Sequence, residues 1–192
     1  KQNLIFCKEV FNEFLNNTIN SINKIEIEYA PPPKENYLND NTSFDAYIEY
    51  THIDNTKGIL GIEVKYTEHE YLLKKGSKEE RFIMDEESPY YKISEISGIY
   101  NVEAFNVLKT DRFRQVWRNQ LLGESILIKD SKEFKHFTSL TFFPSGNTHF
   151  SEVSKEYVGF LKKNDNKFCA VTFEHYISIL KKYCPNTDFA KW

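Results

Sequence analysis

The sequence predicts an α/β domain, a mixed central sheet flanked by helices. Three observations lead there. Residues 44–67 alternate apolar and polar side chains over two runs joined by turn residues. Residues 1–19 and 111–126 carry apolar side chains at helical spacing. Strands recur between helices, in the order helix, strands, helices, strand, helix, strand, helix.

Residues 1–19 read as a helix with Leu4, Cys7, Phe11, Phe14, Leu15 and Ile19 on one face, and Glu9 and Glu13 on the other. The alternation Lys24-Ile25-Glu26-Ile27-Glu28-Tyr29 suits a strand, which Pro31-Pro32-Pro33 ends. In the next strand, Phe44, Ala46, Ile48 and Tyr50 point one way, and Asp45, Tyr47, Glu49 and Thr51 the other. Asp54 to Gly58 supplies turn chemistry. Then Leu60, Ile62, Val64 and Tyr66 share one side, with Gly61, Glu63, Lys65 and Thr67 opposite. The two runs should form an antiparallel hairpin. A turn centred near Asn55 and Thr56 sets Asp45 opposite Tyr66 and Glu63 facing Glu49. One sheet face is then polar, carrying Asp45, Glu49, Glu63 and Lys65, and the other apolar.

Residues 68–87 are mixed in charge and read as an exposed connection whose lysines are solvated or touch phosphate. Ser88-Pro89 is an N-cap followed by Pro at the first helical position, so a helix should span about 89–98, with a shorter one near 102–108. In the helix at 111–126, Phe113, Val116, Trp117 and Leu121 form an apolar stripe. Gln115, Arg118 and Asn119 cluster on the far side, and Gln120 falls inside the stripe, unusually for an amide. A strand at 137–143, a helix at 150–163, a strand at 167–173 and a helix at 175–183 complete the chain.

A chain of 192 residues fits one domain and can bury a real core. With 40% hydrophobic and 16% aromatic residues it should fold. No apolar run approaches the ~18 residues of a membrane span, and no secretory leader is visible. The chain opens on Lys1 rather than Met, as a trimmed piece would. Cys7, Cys169 and Cys184 are odd in number and widely spaced, which reads as a reduced, cytoplasmic protein. The five histidines are scattered too, which disfavours a His-based metal site. A net charge of −3 carries no signature of nucleic-acid binding, although acids gathered at a metal can hide a basic groove.

Four acid-x-Lys pairs occur: Glu63/Lys65, Asp130/Lys132, Glu133/Lys135 and Asp165/Lys167. Only the first lies inside an apolar strand whose hairpin partner carries an acid, Asp45, near its start. Alternating charges on an exposed sheet face are by default just solvated, with cross-strand pairs contributing ~0.2–1 kcal/mol. The functional alternative is a divalent metal. Mg²⁺ prefers oxygen ligands and keeps several waters. Asp45, Glu63 and the Val64 carbonyl would leave positions open for water and a phosphate oxygen. Lys65 could orient the attacking water and stabilise developing charge.

Ser43-Phe44-Asp45-Ala46, Ile62-Glu63-Val64-Lys65-Tyr66-Thr67-Glu68 and Gln115-Val116-Trp117-Arg118-Asn119-Gln120-Leu121-Leu122 together resemble the PD-(D/E)XK nuclease superfamily, and more narrowly its small bacterial restriction-endonuclease-like branch. The resemblance implies a restriction-endonuclease-like fold over 1–192. It implies Asp45 and Glu63 as metal ligands, Lys65 as a catalytic group, and Gln115 and Arg118 as helpers. It also implies Mg²⁺, with Mn²⁺ as substitute, and endonucleolytic cleavage of DNA, in keeping with bacterial defence. An RNA-directed nuclease and a non-catalytic nucleic-acid- or protein-binding member remain as alternatives. Phe44 stands where the family name has Pro. The first helix often supplies a glutamate, a place that Gln2 could fill. Concerted cutting of both strands would need two active sites, which leaves a homodimer open.

Overall fold

The computed structural model describes residues 2–67, 70, 72–162 and 167–184. Seven α-helices and five strands occur among them: α1 Gln2–Asn12, β1 Ile19–Tyr29, β2 Phe44–His52, β3 Lys57–Val64, α2 Lys78–Met84, α3 Pro89–Ser97, α4 Phe105–Leu108, α5 Asp111–Lys129, β4 Phe134–Phe143, α6 Thr148–Phe160, β5 Phe168–Thr172 and α7 Phe173–Tyr183. The strands form one mixed sheet in the order β1-β2-β3-β4-β5. β1, β2 and β3 run antiparallel, whereas β3, β4 and β5 run parallel. Parallel neighbours need crossovers. Helices α2 to α5 supply the first and α6 the second.

The elements differ from expectation where local chemistry overrides periodicity. α1 stops at Asn12, not residue 19, because Asn16 and Asn17 adopt left-handed backbone (φ 52° and 59°). The Asn12 amide then holds the chain return: its Oδ1 accepts the Ile19 N–H at 2.8 Å and its Nδ2 donates to the Ile19 carbonyl at 3.0 Å. Part of the expected connection at 68–87 is helical. α2 begins where the Ser77 hydroxyl accepts the Glu80 N–H, an N-cap inside a charged stretch.

Both sheet faces are covered, which corrects the expectation of one polar face. On one side Ile48, Tyr50, Leu60, Ile62, Leu140 and Phe142 form a core with Phe11 and Leu15. On the other, Tyr47, Ile59 and Phe137 pack into a core with Trp117 and Leu121 of α5. Tyr47 and Ile59 occupy the face that was to be polar, and both are buried. Phe44 also belongs to this second core, not with Ala46, Ile48 and Tyr50. Its ring occupies the space above Gly61, where an added Cβ would meet it at 2.3 Å. Gly61→Ala should therefore destabilise the fold by about 1–3 kcal/mol, through overpacking, in a urea unfolding curve.

α5 positions the site. Asp111 in its first turn and Lys129 in its last complement the helix dipole. Gln120 is fully buried within the stripe, as its wheel position requires. Its amide donates to Glu124 at 3.0 Å, and Glu124 accepts from Lys167 at 2.9 Å.

Candidate active site

β2 and β3 pair with Ala46 against Ile62 and Thr51 against Lys57. The His52 N–H bonds the Thr56 carbonyl at 2.8 Å, and Asn55 supplies the left-handed residue (φ 66°). The hairpin is therefore centred on Asp54, and not between Asn55 and Thr56. Extending its register by one residue sets Asp45 across from Glu63, not Tyr66. Glu49 faces Ile59, 3.9 Å from Lys24 of β1, so it stands outside the site and does not face Glu63.

Asp45 is exposed, and its Oδ2 accepts the Val64 N–H at 2.7 Å. That bond ties the first acid to the backbone of the strand that carries the second. Glu63 is largely buried, and its Oε1 accepts from Lys65 Nζ at 2.8 Å. Lys65 is only 9% exposed. Its N–H donates to the Phe142 carbonyl at 2.8 Å, which anchors the end of β3 to β4.

Burial pushes the Glu63 carboxyl up from the ordinary glutamate range. The Lys65 ammonium opposes that rise, the Asp45 carboxylate adds to it, and the Arg118 guanidinium opposes it. The four groups thus share one electrostatic environment. The Asp45 carboxylate adds to the cost of ionising the poorly solvated Glu63. A hard divalent cation would compensate both, so the oxygen donor set fits Mg²⁺ or Mn²⁺.

Gln115 and Arg118 of α5, off the apolar stripe, lie near the same strand end, the first sharing a cavity with Lys65 and the second acting on the Glu63 charge. Gln115 lines a 30 Å³ cavity together with Lys65, Glu70, Arg112 and His149. Arg118, one turn on, lies 3.6 Å from Glu79 and borders a 480 Å³ cleft with Lys34, Lys78, Phe82 and Tyr90. Asn119, the third polar residue of that helix face, is buried. The Gln2 side chain lies outside the described part of the chain.

Sequence reasoning missed several groups. Lys34 reaches the cleft from the loop after the three prolines, and no local pattern foretold it. The other acid-x-Lys pairs are structural where described: Asp130 accepts from the Tyr37 hydroxyl at 3.0 Å, and Glu133 pairs with Lys57 at 2.6 Å. The histidines are not all scattered, because His52 and His136 meet at Asp54.

A family model of the PD-(D/E)XK nuclease superfamily matches residues 1–192. The chain belongs to this superfamily. Searches of curated proteins and of solved structures gave no match. The five-strand mixed sheet flanked by helices is consistent with PD-(D/E)XK architecture. Members of the superfamily are generally metal-dependent nucleases, so membership supports a nuclease-like function for this PD-(D/E)XK chain and nucleic acid as its substrate class. No helix among the described residues is long and apolar enough to cross a membrane.

Proposed function

We propose that this PD-(D/E)XK chain is a Mg²⁺-dependent endonuclease acting on DNA. The observation that carries the reading is the Asp45–Glu63–Lys65 cluster, in which a buried, Lys-paired glutamate feels the carboxylate of the neighbouring strand. Asp45, Glu63 and the Val64 carbonyl would hold the ion. Bound there, Mg²⁺ supplies Lewis-acid polarisation of a phosphoryl oxygen and acidifies water.

The protein's own groups do the rest. Lys65 is held by Glu63, so its ammonium is pre-aimed and can orient the attacking water and stabilise the charge that develops on phosphate. Gln115, lining the same cavity as Lys65, can hydrogen-bond that water or a phosphate oxygen. Arg118, with Lys34 and Lys78, gives the adjoining cleft three cationic groups for the flanking backbone. Asp40 and Glu79 line the same cleft, so its three cations stand beside two carboxylates. Binding through such contacts should weaken steeply with salt.

The test is incubation with supercoiled plasmid and Mg²⁺ or Mn²⁺. Nicked and linear products that disappear with EDTA support the reading. Binding without cleavage would instead mark a non-catalytic member, and faster turnover of RNA would move the substrate away from DNA.

Metal affinity should follow pH in a defined direction. Protonated Glu63 cannot serve as a ligand, and its folded-state pKa is raised. Affinity for Mn²⁺ is therefore complete well above that raised value and is lost as pH falls through it. The loss should occur above the ~4.3 of an unperturbed glutamate. Paramagnetic resonance of free Mn²⁺, followed from about pH 7 to about pH 4, measures it.

A further inference from the structure

At the opposite end of β2 from Asp45, three side chains from distant parts of the sequence converge. His52 closes β2, Asp54 sits at the hairpin centre, and His136 lies early in β4. Their candidate ligand atoms all lie within 4.8 Å of one another. His52 Nδ1 is 3.0 Å from Asp54 Oδ1, and His136 Nε2 is 3.0 Å from Asp54 Oδ2. Asp45 and His52 are seven residues apart on one strand, roughly 23 Å at the usual rise per residue. The cluster is therefore separate from the Asp45–Glu63 centre.

We propose that His52, Asp54 and His136 form a second metal site, one that takes a borderline transition-metal ion such as Zn²⁺. Two imidazoles and one carboxylate suit zinc and leave one tetrahedral position for water. They suit Mg²⁺ poorly, because it demands oxygen donors.

The side chain and the backbone N–H of Asp54 both gather on His52 Nδ1, at 3.0 Å and 3.3 Å. The carboxylate is fixed in advance. Asp54 Oδ1 accepts the Thr56 N–H at 2.8 Å and the Thr56 hydroxyl at 2.6 Å. Such outer hydrogen bonds orient a ligating carboxylate.

The two imidazole rings stack, with centroids 3.8 Å apart and planes 22° from parallel. One ring must turn for both nitrogens to address a single ion. His136 has the room, being one-third exposed and bordering a 240 Å³ cavity shared with His52, Lys135 and Lys167. With the ion in place, the site would clasp the β2–β3 turn to the start of β4.

The experiment strips the intact protein with chelator, adds Zn²⁺, and counts bound metal by native mass spectrometry. Co²⁺ substitution, read by its visible absorption, reports imidazole ligation independently. We expect one zinc in the wild type, none in Asp54→Asn or His136→Ala, and ~10–100-fold weaker binding in Thr56→Val. Circular dichroism verifies that each variant is folded. Glu63→Gln should keep the zinc, which separates this proposal from the nuclease reading. No zinc in the folded wild type, or zinc retained in both ligand variants, would overturn the second site. Loss of zinc in Glu63→Gln alone would do so too, while leaving the first site standing.

Discussion

Lys65→Ala should lose plasmid cleavage by at least ~10²–10³-fold while still binding Mn²⁺, the size expected when one preorganised electrostatic group is removed. The lysine is 9% exposed and bound to Glu63, so its loss leaves a buried carboxylate without its cation. A thermal melt must therefore accompany the assay. Glu63→Gln provides the complementary case. It keeps the shape of the side chain and an oxygen for Lys65, yet removes the negative charge. Cleavage and Mn²⁺ binding should then fall together. Cleavage by a folded Lys65→Ala protein at wild-type rate would remove the lysine from the chemistry. Undiminished Mn²⁺ binding by Glu63→Gln would remove the glutamate from the ion.

The largest effect on stability should come from Trp117→Ala. Trp117 is completely buried on the inner face of α5. Its ring packs against Tyr90 at 5.3 Å and Tyr91 at 6.0 Å, and its Nε1 donates to the Ser94 hydroxyl at 3.0 Å. Truncation leaves a cavity between α3 and α5 and a buried hydroxyl without its donor. The cost should be about 3–5 kcal/mol, a large part of the ~5–15 kcal/mol that holds a typical domain together. Guanidinium unfolding monitored by far-ultraviolet circular dichroism would measure it. Arg118 follows Trp117 on the same helix, so cleavage should also decline at temperatures where the variant remains folded.

The hairpin was legible because period-two alternation is local: Asp45 and Glu63 fall on the strands expected of them, while Lys65 lies one residue past the end of β3. Its register was not. Which residue centres a turn depends on one left-handed residue, Asn55, and on a His52-to-Thr56 bond that composition does not specify. The shift brought the second acid opposite the first. The polar sheet face was misjudged for a different reason. Alternation reveals two faces but not what lies over them, and α5 covers the one carrying Tyr47 and Ile59. The wheel of α5 found the apolar stripe, but it could not tell that Asn119 is buried or that Gln115 and Arg118 approach the end of β3. His52 and His136 meet only because β3 and β4 pair in parallel, with Gly58 against His136. Nothing short of tertiary pairing joins residues so far apart in the chain.

α5 is gripped near both ends. Toward its start, Arg112 pairs with Glu156 of α6 at 2.6 Å, close to Gln115 and Arg118. Near its finish, Glu124, only 2% exposed, is tied to Lys167 just before β5 and to Gln120 within the helix. A rod fastened at two separated points cannot slide lengthwise or roll without breaking a desolvated ionic tie. Transplanting the acid hairpin into another scaffold would therefore carry over the carboxylates without the alignment of amide and guanidinium above them. Any successful graft must bring the whole rod and its distant anchor.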